Sequence, residues 1–151
     1  MLKDASKRPN CPSAKEVEKY LKIWNSNDSS VMPEKSLGRL FQKTYPKNTE
    51  LEEVLIKVSA LNNLYSLRIL SPLIVAKHII KAKIDMNISK DDLIFVNKVA
   101  KVRVSENRTI NFYSFATKYC SFSKPPIYPI YDSYVRKSLR FFEKKCLYTQ
   151  T

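Results

Sequence analysis

The sequence predicts an all-α fold, a compact bundle of six or seven short helices, and three observations carry that reading. Apolar residues recur at three- and four-residue spacing through most of the chain. Prolines, eight in all, fall mainly between or at the edges of those periodic stretches. Glycine occurs once in 151 residues, at Gly38. That scarcity disfavours barrels and sandwiches built on many tight turns, and it excludes Gly-rich phosphate loops.

Each element has a local reason. Residues 1–12 are polar and basic, with Pro9 and Pro12, and read as a flexible arm before one all-α domain over 13–151. Val17, Tyr20, Leu21 and Trp24 mark a first helix, which the run NSNDSS (25–30) breaks. Pro33 stands where a first helical residue would, ahead of Leu37, Leu40 and Phe41, and Pro46 ends that stripe. Thr49 and Glu52 make a capping-box pattern before Leu51, Val54, Leu55, Val58, Leu61 and Tyr65. Ser71 and Pro72 open a helix carrying Leu73, Ala76, Ile79 and Ile80. Ser89 and Asp92 repeat the capping pattern ahead of Leu93, Val96, Val99 and Ala100.

SENRT (105–109) reads as a polar hinge, and no segment reads as a strand. Phe112, Phe115, Ala116, Tyr119 and Cys120 then fill the helical template. KPPIYP (124–129) cannot be helical, because prolines restrict themselves and the residues before them. A last helix runs from about Ser133, with Val135, Leu139 and Phe142 inward and Arg136, Lys137, Arg140, Lys144 and Lys145 outward.

Charge narrows the class of partner. Lys and Arg total 27 against 14 Asp and Glu, a formal +13 with a pI near 9.7. Such an excess repels itself unless a polyanion neutralises it, so nucleic acid is the first partner to consider and an acidic protein the second. Cys11, Cys120 and Cys146 are odd in number and widely spaced, with no metal or cluster pattern. Reduced thiols in a cytoplasmic protein fit that usage, and no metal or cofactor is expected. No window has the length and apolarity to span a membrane.

An all-α chain ending in helix, proline loop and aspartate-led helix resembles the helix–hairpin–helix DNA glycosylase superfamily, which contains endonuclease III, adenine glycosylase and the 8-oxoguanine glycosylases. EEVLIKVSALNNLYSLRILSPLIVAKHI (52–79) looks like the helix pair in which that family sets a Gln/Asn-containing turn against the damaged strand. FATKYCSFSKPPIYPIYDSYV (115–135) looks like the hairpin's second helix, the loop and the aspartate. The two segments cover about a third of the chain. The likeness is closer to bacterial proteins sharing FATKYC and YPIYDSYV than to the characterised glycosylases.

The resemblance implies roles. Asp132 would stabilise the cationic sugar as the N-glycosidic bond breaks. Bifunctional members place a nucleophilic lysine where this chain offers Ser114, which implies a monofunctional enzyme. Lys118, one turn further on, shares the polar face of the wheel with Ser114, Thr117 and Ser121, and it is the second catalytic candidate. The family's glycine turn, which grips a phosphate, has no counterpart in SENRTINF (105–112).

Every candidate also has a structural reading. Asp132 is equally an N-cap. Asn62 and Asn63 end a helix or reach a base edge. Lys77, Lys81, Arg108, Arg136, Lys137 and Arg140 are solvated faces or phosphate contacts. Three functions follow: a glycosylase acting on an extruded base, a non-catalytic nucleic-acid-binding module, and an interaction or regulatory protein, as in phage defence or a mobile element, whose basic faces meet an acidic partner. Oligomeric state is not legible from these residues.

Overall fold

The computed structural model describes residues 12–88, 92–125 and 127–147, and for 144–147 the backbone alone. The fold is mostly helical, with one two-stranded sheet. Eight α-helices occur among the described residues: α1 (Ala14–Asn25), α2 (Asp28–Arg39), α3 (Leu51–Leu64), α4 (Pro72–Lys81), α5 (Ile84–Asn87), α6 (Phe95–Ala100), α7 (Tyr113–Ser123) and α8 (Ser133–Leu147). A π-helical turn, Leu40–Thr44, extends α2. The N-terminal arm through Cys11, the Ser89 capping position and the side chains of Lys144, Lys145 and Cys146 lie outside the described residues.

The strands overturn the all-α expectation. β1 (Lys101–Ser105) and β2 (Arg108–Asn111) form an antiparallel hairpin where a polar hinge was expected. Val102 pairs with Ile110 and Arg103 with Thr109, then the register slips so that Ser105 meets Arg108. The most compact hairpin turns need positive φ at a central residue, yet neither Glu106 nor Asn107 adopts it. The extra residue on β1 absorbs the twist as a bulge. The Arg103 guanidinium then braces the turn, donating to the carbonyls of Ser105 (3.3 Å) and Glu106 (2.6 Å). A hairpin made without glycine leaves little trace in composition.

Two helix starts also differ from expectation. α2 begins at Asp28, five residues before Pro33, because the Asn27 side chain accepts the Ser29 N–H at 3.1 Å. Pro33 therefore sits inside the helix at the cost of one backbone bond. The Thr49 capping box does not form: Glu50 is the N-cap of α3 and makes no side-chain cap bond.

One apolar cluster joins α2, α3, α4, α6 and α7 through Leu37, Val58, Leu61, Ile79, Val99 and Phe115. α7 runs through its middle, buried on nearly every side. α1 is the opposite case. It buries no residue, and Val17, Leu21 and Trp24 stay about half exposed along a groove shared with Phe142 of α8. Leu139, expected inward, is exposed as well. The periodicity gave most of the helices, missing α5 and the first turn of α2, but not which stripes find a partner. No helix among the described residues is long and apolar enough to cross a membrane.

Candidate functional site

The proline loop delivers Asp132 to the start of α8, above the middle of α7. Thr117 of α7 fixes the approach. Its hydroxyl donates to the Tyr131 carbonyl (3.0 Å) and accepts the Tyr131 N–H (3.2 Å). Asp132 then divides its two oxygens. Oδ1 accepts the N–H groups of Tyr134 and Val135, both at 3.0 Å, and so caps α8. Oδ2 accepts the Lys118 ammonium at 3.0 Å. The cap and the ion pair occur on one carboxylate.

Lys118 is not on a polar face. It is 2% exposed, and Thr117 is buried beside it, because packing surrounds α7 where the helical wheel suggests solvent. The ammonium also donates to Ser114 Oγ at 3.0 Å and lies 4.9 Å from the centre of the Tyr65 ring. A lysine shut behind its own counterion has no path to a substrate carbon. The candidate Lys118 thus sits behind Asp132, its ammonium taken up by that carboxylate and by Ser114.

Opposing effects act on the carboxyl of Asp132. Burial pushes its pKa up, but the Val135 N–H, the hydrogen bond and charge of Lys118, and the Tyr134 N–H outweigh that and hold it below the ordinary value. The group is a fixed anion at neutral pH. Tyr65 behind it stays protonated, its phenol pushed up to about 12 by burial, with Glu34 and Asp132 adding to the shift.

Asp132 keeps 21% of its side chain exposed. It faces a small open cleft of about 180 Å³ lined with Tyr113, Ser114, Tyr131 and Arg136. Tyr113 and Tyr131 meet edge to face, ring centres 6.0 Å apart, and make an aromatic wall. An ionised carboxylate, a serine, an aromatic wall and a cation thus share one small recess, where the fixed anion can stabilise positive charge beside it.

The remaining candidates fall elsewhere. Asn62 takes the structural one of its two readings. Its amide donates to the Ile69 carbonyl and accepts the Ile69 N–H, both at 2.9 Å, so both hydrogen-bonding ends brace the α3–α4 loop. Asn63 is exposed beside it. Lys77 and Lys81 are exposed on α4, Arg108 on the hairpin, and Lys137 and Arg140 on α8. Of the surface cations named from sequence, Arg136 alone among the described residues lines the Asp132 cleft. Thr117 and Tyr65 complete the site: Thr117 lies beside Lys118 in α7, and Tyr65 comes from the C-cap of α3.

A family model described as HI_0787_N, N-terminal domain, matches residues 16–127. The match takes in Ser114 and Lys118 and stops before Asp132. A Haemophilus influenzae protein described as "Uncharacterized protein" is 41% identical over 98 residues, 64% of this chain and 48% of its own length. The chain thus spans about half the length of the curated relative it matches. No solved structure matches.

Proposed function

We propose that this chain, which belongs to the HI_0787_N N-terminal-domain family, binds nucleic acid and uses Asp132 to cut a base from its sugar without a covalent intermediate. One observation carries the reading. A carboxylate held ionised by a buried lysine and a helix N-terminus opens into a small cleft beside Arg136, on a chain of formal charge +13.

As the bond between sugar and base lengthens, positive charge gathers on the sugar ring. A fixed anion at the cleft stabilises that charge without reorganising. The base departs with the bonding electron pair, and water adds to the sugar carbon. The proton that water loses passes by way of the carboxylate and solvent to the departed base, which returns Asp132 to its ionised form. Lys118 keeps Asp132 charged and aimed, and since it cannot reach the substrate, no imine forms. The exposed cations of α4, the hairpin and α8 supply sequence-independent attraction to phosphates.

The test is base release from oligonucleotides carrying damaged or mismatched bases, under single turnover. Asp132→Asn should lower the rate by about 10²–10³-fold while duplex binding, measured at low salt, is kept. Because that change strands the Lys118 charge, Asp132→Asn with Lys118→Met is the companion variant. Salt-sensitive binding with no base release from either wild type or variants would leave a binding module. Absence of any duplex binding would leave the protein-interaction reading, which the uncovered apolar face of α1 favours.

A further inference from the structure

We propose a second binding site, for a small amphiphilic anion with an apolar body and a phosphate or carboxylate head, in the cavity between the α3–α4 loop and the β-hairpin. The cavity holds about 410 Å³ and does not include the Asp132 cleft. That volume is within the range of small-molecule sites, which are mostly apolar with a few placed polar groups. Ile74, Val104, Ile110 and Phe112 line it together with Arg68 and Arg108. Neither guanidinium has a hydrogen-bond or ion-pair partner among the described residues. Two unneutralised forks in an apolar lining match an oxyanion joined to an apolar group, since guanidinium binds such heads in a bidentate way.

The loop that carries Arg68 is held in a costly shape. Ser66 and Arg68 both have left-handed backbones, with φ of 49° and 59°. Side chains other than glycine adopt that region at an energetic penalty, and such strain persists only where neighbours over-determine it. Here Asn62 over-determines it through its paired bonds to Ile69. The result sets Arg68 at the cavity and leaves Leu70, which also lines it, 96% exposed. A ligand seated there would cover that leucine. This inference does not depend on the nucleic-acid reading.

The probe is 1-naphthyl phosphate, titrated calorimetrically into the whole chain, with 1-naphthol and inorganic phosphate as the two halves. Saturable one-to-one binding of the ester is expected, each half binding at least about tenfold more weakly. Arg108→Gln and Arg68→Asn should each weaken the ester by at least about tenfold, the loss expected for a hydrogen bond to a charged group. Asparagine is chosen at position 68 because it tolerates left-handed backbone. Both arginines are exposed, so the fold is kept. Leu21→Gln, in the separate α1 groove, should change nothing. Equal binding of naphthol, no saturable binding of the ester, or loss in Leu21→Gln instead of the arginine variants would each overturn the proposal.

Discussion

Two buried lysines, one on α3 and one on α7, show how the same side chain can be closed off inside the fold or paired with a carboxylate that reaches solvent. Lys57 is fully buried, and its ammonium donates to the carbonyls of Tyr45 (3.1 Å) and Lys47 (2.7 Å) and to Asn48 Oδ1 (2.6 Å). Asn48 in turn donates its side-chain amide and its backbone N–H to Asp85, and Tyr119 donates to the same Asn48 oxygen. The network ties the loop before α3 to α5 and α7, and the charged donor meets neutral acceptors first. Lys118 is nearly as buried but faces its carboxylate directly, and that carboxylate reaches solvent. A closed network holds the fold together. An ion pair with one open side can act on something else.

The sharpest way to break the comparison is to make one substitution at both lysines. Lys57→Met leaves the Tyr45 and Lys47 carbonyls without that donor and Asn48 Oδ1 with Tyr119 alone, and should cost about 3–5 kcal/mol of unfolding free energy in urea titrations. Its pH dependence is equally specific. Burial lowers the Lys57 pKa from 10.5 to about 8, against the opposing pull of Asp85 and Glu53. Between those values the unfolded chain still holds the proton that the folded protein has released, so stability rises with pH across the interval. Buried Tyr119 and Cys120 act in the other direction above about pH 9, their pKa values raised by burial. Both remain in the variant and cancel in the difference. Wild type minus Lys57→Met should therefore grow by up to about 3 kcal/mol from pH 8 to 10.5. A flat difference would mean the ammonium is not desolvated.

The second site should respond asymmetrically. Asp132→Asn keeps the cap of α8, since asparagine caps as well as aspartate, but it leaves the Lys118 charge buried without a counterion. A loss of about 2–4 kcal/mol is expected. Lys118→Met removes the buried charge itself and leaves Asp132 with two N–H donors and solvent. That should cost no more than about 1 kcal/mol, since a similar-sized apolar side chain replaces a desolvated ion. Acid titration sharpens the point. The stability Asp132 contributes is present above its ordinary pKa of 3.8 and lost as pH falls through its lower folded value. Lys118→Met should shrink that acid-sensitive part. If Lys118→Met proved the costlier of the two, Lys118 would belong with Lys57 as a structural post.

Which parts of this were legible in the sequence follows from where the determinants lie. Asp132 was visible because capping is local: a short acceptor after a proline loop and before a helical stripe is written in consecutive residues. The hairpin was not, because its turn uses a bulge in place of the Asn-Gly or Asp-Gly signal. Lys118 was misplaced because a wheel assumes one wet face, and α7 has almost none. Lys57 left no signal, since two of its acceptors are carbonyls of a loop whose path only the folded chain defines. Amphipathic α1 gave the clearest stripe and the least burial. Periodicity reports what a helix offers, not what covers it.

The smallest effect concerns the turn that holds Tyr65 over Lys118. Tyr65 is the C-cap of α3, and the Ser66 and Leu67 N–H groups donate to the carbonyls of Asn63 (3.3 Å) and Asn62 (3.1 Å). That is the paired pattern of a Schellman cap, whose left-handed residue is usually glycine. Here it is Ser66, with φ 49°, while the single glycine, Gly38, sits inside α2 with nothing within 4 Å of an added Cβ. Ser66→Gly should therefore stabilise the protein by about 0.5–1 kcal/mol, relief of the left-handed penalty outweighing the extra freedom of the unfolded chain. It should do so without moving the acid titration of Asp132, because the Tyr65 ring would be held where it is. A rise in stability accompanied by a shift in that titration would show that the turn's strain, and not only the packing of α7, sets the charge at the cleft.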